Sequence, residues 1–214
     1  GSAIGEGMIA MKAVQSLGRQ PYAAPKIVRV MIIGQAITET AAIFALVVAL
    51  MLLFQDGSGT TIKAVTFLSA GIAIGFGTIG SGLGAGLPGS AALEGIGKQP
   101  ENSEVITIQM IIGQAVTQTS TVFALTIALI LILLEPVPST VKMFALLGAG
   151  CAMGFGAIGP GIGDGIVAMN ANRAVGRNPK HMGLLTRSMI IGQAITETTD
   201  IYAMVVSLML IFVA

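Results

Sequence analysis

The hexapeptide MIIGQA occurs three times, beginning at Met31, Met110 and Met189, and the spacing is 79 residues both times. A second series keeps the register, running GSAIGEG from Gly1, GSGLGAG from Gly80 and GPGIGDG from Gly159. One unit has been copied in tandem without insertion or deletion, so any fold must be three like supersecondary units. The copies also allow positions to be compared within one chain. One acid position falls in the middle of an apolar run, as Glu39 in copy 1 and Glu197 in copy 3, whereas copy 2 has Gln118.

Those apolar runs set the class of protein. Segments 27–54, 105–134 and 184–213 each exceed the roughly 20 residues needed to cross a bilayer core. Between them lie equally long segments rich in glycine, 65–96 and 144–175. Only 10% of the chain is charged and its mean hydropathy is +0.88, against roughly 25% charged in soluble domains. An integral, all-α membrane protein is expected. A net charge of +1 argues against a nucleic-acid partner. The lone Cys151 excludes an internal disulfide.

Each copy reads as a glycine-rich helix, a polar loop and an Ile/Leu/Val-rich helix. The domains expected are therefore hairpins at 1–55, with its first helix incomplete, at 62–134, and at 141–214. Gly1 aligns with Gly80 and Gly159, which an apolar half-helix precedes, so a truncated start is expected rather than a signal peptide. The loops GRQPYAAPK, GKQPENSE and GRNPKHMG, from Gly18, Gly97 and Gly176, place proline after Gln or Asn, which ends one helix and turns the chain. The opposite connectors, QDGSGTT at 55–61 and EPVPST at 135–140, are ordinary breakers. Arg19, Lys26, Arg29, Lys98, Arg173, Arg177, Lys180 and Arg187 cluster near the Gln/Asn-Pro loops, with only Lys63 and Lys142 near the others. The positive-inside rule places the Gln/Asn-Pro loops in the cytoplasm.

The glycines of copy 2 step mostly by two residues and so fall on opposite sides of a helix. Gly77, Gly80 and Gly84 take one side and Gly75, Gly82, Gly86 and Gly89 the other. Small residues let membrane helices approach closely, and a helix smooth on two sides suits a place between like neighbours in a closed ring. GFGTIG and GFGAIG, at Gly75 and Gly154, match a dinucleotide fingerprint by letter only, because no strand precedes them.

Ionisable groups in mid-membrane cost about 2.5–3.5 kcal/mol on insertion scales and default to functional roles. Glu6 lies 13 residues before Arg19 and Glu39 lies 13 beyond Lys26, which puts both about 20 Å above the loop. Asp164 and Glu197 repeat the arrangement, while Ala85 and Gln118 are both neutral. The pair is lost together, as expected of one site. Two carboxyls at one depth must share a proton or hold a cation. Hard cations take oxygen ligands, which Thr40, Thr198 and nearby carbonyls supply. Asp200, three residues after Glu197, adds another acid whose part is left open.

The glycine helix, the Arg-Gln-Pro loop and GQAITET together resemble the ring-forming c subunit, or proteolipid, of rotary ATP synthases and ATPases, over essentially the whole chain. The loop motif is like the F-type, whereas fused hairpins are more typical of V-type and A-type rings. The resemblance implies a multimeric ring of two-helix hairpins, with outer carboxylates carrying H⁺ or Na⁺ past a stator. Glu39 and Glu197 are then the translocating acids. Glu6, Asp164, Thr40, Thr198, the carbonyls of Ile37 and Ile195, and Tyr202 are their partners, with Phe44 replacing the tyrosine in copy 1. Na⁺ is the candidate metal at Glu6, Glu39, Asp164 and Glu197. Ala85 and Gln118 mark a degenerate site. The loop residues Arg19, Gln20, Pro21, Lys98, Gln99, Pro100, Arg177, Asn178 and Pro179 are expected to contact the central stalk. No cofactor besides the transported ion is implied. The implied partners are other copies of the chain, the a subunit of the stator, the proteins of the central stalk and lipid, in a prokaryotic plasma membrane. The chain would not be an enzyme by itself. The rival reading is a stand-alone ring-forming channel or transporter, but transporters usually carry inverted or two-fold repeats with broken helices. A purely structural oligomer would not need acids at matched depth.

Overall fold

The computed structural model describes residues 1–55, 60–137 and 139–213. Residues 56–59, Pro138 and Ala214, where parts of the two breaker connectors and the end of the third hairpin fall, lie outside the described residues. The chain forms helices α1 (Ser2–Arg19), α2 (Ala24–Leu53), α3 (Thr61–Lys98), α4 (Ser103–Thr117), α5 (Thr119–Leu133), α6 (Thr140–Gly156), α7 (Ile158–Arg177) and α8 (Met182–Phe212). Helices α4 and α5 are one rod interrupted at Gln118. There the Gln118 N–H is shared between the carbonyls of Gln114 and Ala115, at 3.2 and 3.3 Å. Thr117 and Thr119 on either side turn their hydroxyls onto the backbone, to Gly113 O and Val116 O, a habit that bends helices. Helices α6 and α7 join at Ala157, where Pro160 has no N–H to offer the carbonyl of Gly156.

Six rods thus make three tandem hairpins, and every described element is helical. Five rods are long and apolar enough to cross a membrane, and the molecule is an integral membrane protein; α1 has 18 residues. Each Gln/Asn-Pro loop is one turn of 3₁₀ helix, at Pro21–Ala23, Pro100–Asn102 and Pro179–His181. Proline fits the first turn of such an element because its missing N–H would have no partner there.

Helix α3 is the centre. It packs against α1 on one side and α6/α7 on the other, giving a row of glycine-rich helices. Helices α2, α4/α5 and α8 form a second row. Helix α2 lies in the groove between α1 and α3, and α4/α5 in the groove between α3 and α7, while α8 rests on α6 and α7.

The first row owes its spacing to glycine. A Cβ at Gly80 or Gly84 would come inside 3 Å of Ile158 or Gly161 of α7, and one at Gly82 or Gly86 would strike Ser2 or Gly5 of α1. The two-sided glycine face of α3 is therefore real, with two corrections: Gly75 meets nothing within 4 Å and belongs to neither contact, and Gly77 chiefly meets Ala124 of α5. A membrane offers little hydrophobic drive between helices, so such close backbone packing must carry much of the association.

Apolar cores lie at the two ends of the bundle. One gathers Ile62, Ile74, Ile127, Leu131, Leu146 and Ile211. The other gathers Ile9, Ile27, Leu93, Ile96, Ile106 and Met110 beside the Gln/Asn-Pro loops. Between them runs a belt of buried polar groups that includes Thr38, Ser81, Gln114, Thr121, Asp164, Gln193 and Asp200. Gly84→Ala should force α3 from α7 and cost about 1–3 kcal/mol, read as a lower midpoint of helical unfolding in detergent. Gly75→Ala should leave the midpoint unchanged or raise it.

Candidate ion-binding seams

The polar belt is organised by one glutamine per copy, four residues before each acid position. The Gln114 side-chain amide donates to Ala85 O at 2.8 Å and to Gly34 O of the preceding hairpin at 3.0 Å. Gln193 does the same to Asp164 O at 3.3 Å and Gly113 O at 3.2 Å. Gln35 donates to Glu6 O at 3.4 Å. Each glutamine thus ties its outer helix to the backbone of the inner acid position, and two also clasp the outer helix before them. Interhelical bonds of this kind contribute roughly 0.6–2 kcal/mol in membranes. Sequence alone assigns these glutamines no role, although a polar residue kept in an apolar run in all three copies is the signal that points to one.

The acid positions lie beside the clasps. Glu197 is half-buried, and its Oε1 accepts a hydrogen bond from the Thr119 hydroxyl. Thr119 belongs to the second hairpin, and the same hydroxyl reaches Val116 O at 2.7 Å. Asp164 is wholly buried on α7 with neither carboxyl oxygen partnered. Sequence does not point to Thr119 and Val116, because it matches the hydroxyls to acids of their own hairpins. Thr119, the threonine that follows the acid position of copy 2, serves the next hairpin instead.

The seam between hairpins 1 and 2 has the same construction and different chemistry. Gln118, nearly buried, donates through Nε2 to Ile37 O at 3.1 Å, and Ala85 is fully buried in the place of the inner acid. An amide N–H thus occupies the Ile37 carbonyl. Thr40, whose hydroxyl turns to Ala36 O at 3.4 Å, lies in this seam by register, so Ile37 and Thr40 accompany Gln118 rather than Glu39.

The third set is split between the two open edges of the chain. Glu39 is exposed and Glu6 half-buried beside α1 and α2. Ile195 and Tyr202, 67% and 65% exposed, stand with Thr198 on α8 at the far edge. Thr198 bonds Ile195 O at 2.7 Å. At the loop end, Arg19, Lys98, Arg177, Pro21 and Asn178 are exposed, Gln20, Gln99 and Pro179 are half-buried, and Pro100 is buried. Lys26 donates to Pro100 O at 3.0 Å, joining the first two loops.

Tandem transmembrane hairpins with a glycine row inside and one acid or amide in each seam define a repeated-hairpin membrane proteolipid. The family model for the ATP synthase C subunit matches residues 1–52, 68–131 and 147–210, and the chain belongs to that family. It is 52% identical over 68 residues to an ATP synthase c subunit of Petrotoga mobilis, covering 32% of this chain and 71% of that protein. An ATP synthase c subunit of Dehalococcoides mccartyi is 54% identical over 69 residues, covering 32% of the chain and 91% of the relative. One of Thermotoga petrophila is 45% identical over 67 residues, covering 31% and 79%.

Thr119→Val keeps the shape and removes the donor to Glu197. It should raise about tenfold the cation concentration that shields Glu197 from carbodiimide. Peptide-resolved labelling should show Glu39 unaffected.

Proposed function

We propose that the chain is the rotor-ring proteolipid of a rotary ATP synthase, working as a membrane component of that enzyme complex without catalysing a reaction itself. Glu39 and Glu197 carry the ion across the membrane, coupling its flow to ring rotation. The observation that carries this reading is the repeated seam, in which the acid position of one hairpin meets the hairpin before it, Glu197 through the Thr119 hydroxyl and Gln118 through the Ile37 carbonyl.

The two free edges support a ring because they are complementary. Gly7 meets nothing within 4 Å, whereas its counterparts Gly86 and Gly165 press against Gly5 and Gly84 of the preceding glycine helix. At the other edge Gly159 is vacant, while its counterparts Gly1 and Gly80 press against Ile79 and Ile158 of the following one. Gln35 bonds only within its hairpin, and Gly192, in register with Gly34 and Gly113, stands at the opposite edge. A head-to-tail second copy fills these places and brings Ile195 and Thr198 to Glu39. Head-to-tail contacts close into rings when the rotation allows it.

Na⁺ is the ion proposed. Asp164, with both oxygens buried and unpartnered, needs a cation or a proton, and a seam of two carboxyls, a hydroxyl and a carbonyl offers more oxygen than a proton requires. Asp164, Glu197 and Thr119 would hold the ion in one seam, and Glu6, Glu39 and Thr198 in the other. The Gln/Asn-Pro loops face the cytoplasm by charge and meet the central stalk through exposed Arg19, Lys98 and Arg177. The outer helices pass the stator, and the complex sits in a prokaryotic plasma membrane.

Carbodiimide, which needs a protonated carboxyl, should modify Glu39 and Glu197 and nothing in copy 2, and millimolar Na⁺ should protect both. Labelling confined to Glu101 and Glu104 would oppose the assignment, as would a monodisperse monomer in mild detergent.

The Gln118 seam sets the gearing. Three hairpins carry two ion sites, so the ions moved per ATP are two thirds of what three competent hairpins would give. Each ATP can then drive ions against a steeper gradient, and synthesis demands a larger ion-motive force. Gln118→Glu alone should bind poorly for want of a partner at Ala85. Gln118→Glu combined with Ala85→Glu should raise the ion count, by titration of the purified ring, from two to three per chain.

A further inference from the structure

The groove between α2 and α4, at the end of the bundle that carries the Gln/Asn-Pro loops, holds a set of charges that the other copies do not repeat. Lys26 and Arg29, one turn apart, line it from α2, while Glu101 and Glu104 line it from the second loop and the start of α4. All four are exposed. Neither cation is paired with either acid, since the ion pairs among the described residues are Lys63 with Glu135 and Lys98 with Glu94. Lys26 donates to Pro100 O at 3.0 Å, which ties its ammonium to the loop residue before Glu101. The four side chains thus border one cavity of about 560 Å³.

The positive-inside bias accounts for cations near these loops, but it does not call for acids. In the register of the repeat, the groove between α4 and α8 has Val105 and Ile108 in the places of Lys26 and Arg29, and Lys180 and Gly183 in the places of Glu101 and Glu104. At the open edges of the chain the same places hold Leu184 and Arg187 on one side, and Tyr22 and Pro25 on the other. Only the α2–α4 groove therefore sets a basic wall against an acidic one. Beyond Arg29 and Glu104, away from the loops, the same cavity is lined by Ile33 and Ile111. A matching ligand has an anion and a cation at one end and hydrocarbon at the other.

We propose that this groove binds one molecule of phosphatidylethanolamine per chain. Arg29 and Lys26 take the phosphate, to which a guanidinium fork is well matched. Glu101 and Glu104 accept hydrogen bonds from the primary ammonium, and the acyl chains lie along Ile33 and Ile111. A choline headgroup carries the same two charges but has no N–H to donate. A glycerol headgroup lacks the cation and brings its net negative charge up to two carboxylates. The site lies within a single chain and does not depend on which ion the seams carry.

The test is native mass spectrometry of the purified protein in mild detergent, titrated with phospholipids that share their acyl chains and differ only in headgroup. Phosphatidylethanolamine should saturate at one per chain. It should half-saturate at about one tenth of the concentration that phosphatidylcholine requires, as one charge-assisted hydrogen bond produces. Phosphatidylglycerol should also bind more weakly than phosphatidylethanolamine. Glu101→Ala combined with Glu104→Ala should bring the ethanolamine and choline lipids to one value. Arg29→Gln should weaken both alike and leave their ratio unchanged. Circular dichroism of each variant should match the unaltered protein, both positions being exposed. Equal half-saturation by the ethanolamine and choline lipids in the unaltered protein would overturn the inference. So would tighter binding of phosphatidylglycerol, or a preference for ethanolamine that survives the loss of both glutamates. None of these results bears on Glu39 and Glu197 as carriers, so the two readings fail separately.

Discussion

Everything in this molecule hangs on how closely the glycine-rich helices approach. Where α3 meets α7 at Gly80 and Gly84, and α1 at Gly82 and Gly86, backbone lies against backbone with no room for a methyl group. That closeness sets the spacing of the grooves into which α2 and α4/α5 drop, and the grooves in turn set the depth and distance of the acid positions. In water such helices would be held mainly by burying apolar surface. In lipid, dispersion contact and a few interhelical hydrogen bonds must serve instead, and the copy-to-copy glutamine bonds fall where the packing is tightest.

Many of the buried polar groups lie in a belt between two apolar cores, and the belt is almost self-satisfied through bonds to helix carbonyls. Thr38, Thr117 and Thr196 each return their hydroxyls to a carbonyl one turn back, which lets them sit in a dry interior at small cost. The groups left over are informative because unsatisfied polar atoms are scarce in buried places. Besides the side-chain oxygens of Gln114, Gln118, Gln193 and Asn172, they are the carboxyls of Asp164 and Asp200 and the hydroxyl of Ser120.

Much of this architecture was legible in the sequence, because a period of 79 residues with apolar runs of membrane length leaves few alternatives. The two-sided glycine pattern of α3 was readable from steps of two residues, although Gly75 has no neighbour and the pattern alone could not say so. What the sequence hid was which hairpin completes which site. Residues adjacent in sequence, such as Glu197 and Thr198, look like natural partners, yet they stand on different faces of α8, with Glu197 turned to Thr119 of the hairpin before it. Register within a helix is visible in a string of letters, whereas the sideways order of helices is a property of packing. The clasping role of the glutamines is hidden for a related reason, since an amide bonding a backbone carbonyl leaves no pairing signature in the partner's side chain.

Covalent joining of the hairpins has an arithmetical consequence. Separate single-hairpin proteins could assemble rings that differ by one member, and the transmission ratio could be tuned finely. Here the Gln118 seam is welded between its neighbours, so on the rotor reading proposed above these three hairpins enter a ring together, and Glu39 and Glu197 never enter without Gln118. On that reading a finer adjustment lies in the chemistry of a single seam, the difference that separates Ala85 and Gln118 from Asp164 and Glu197.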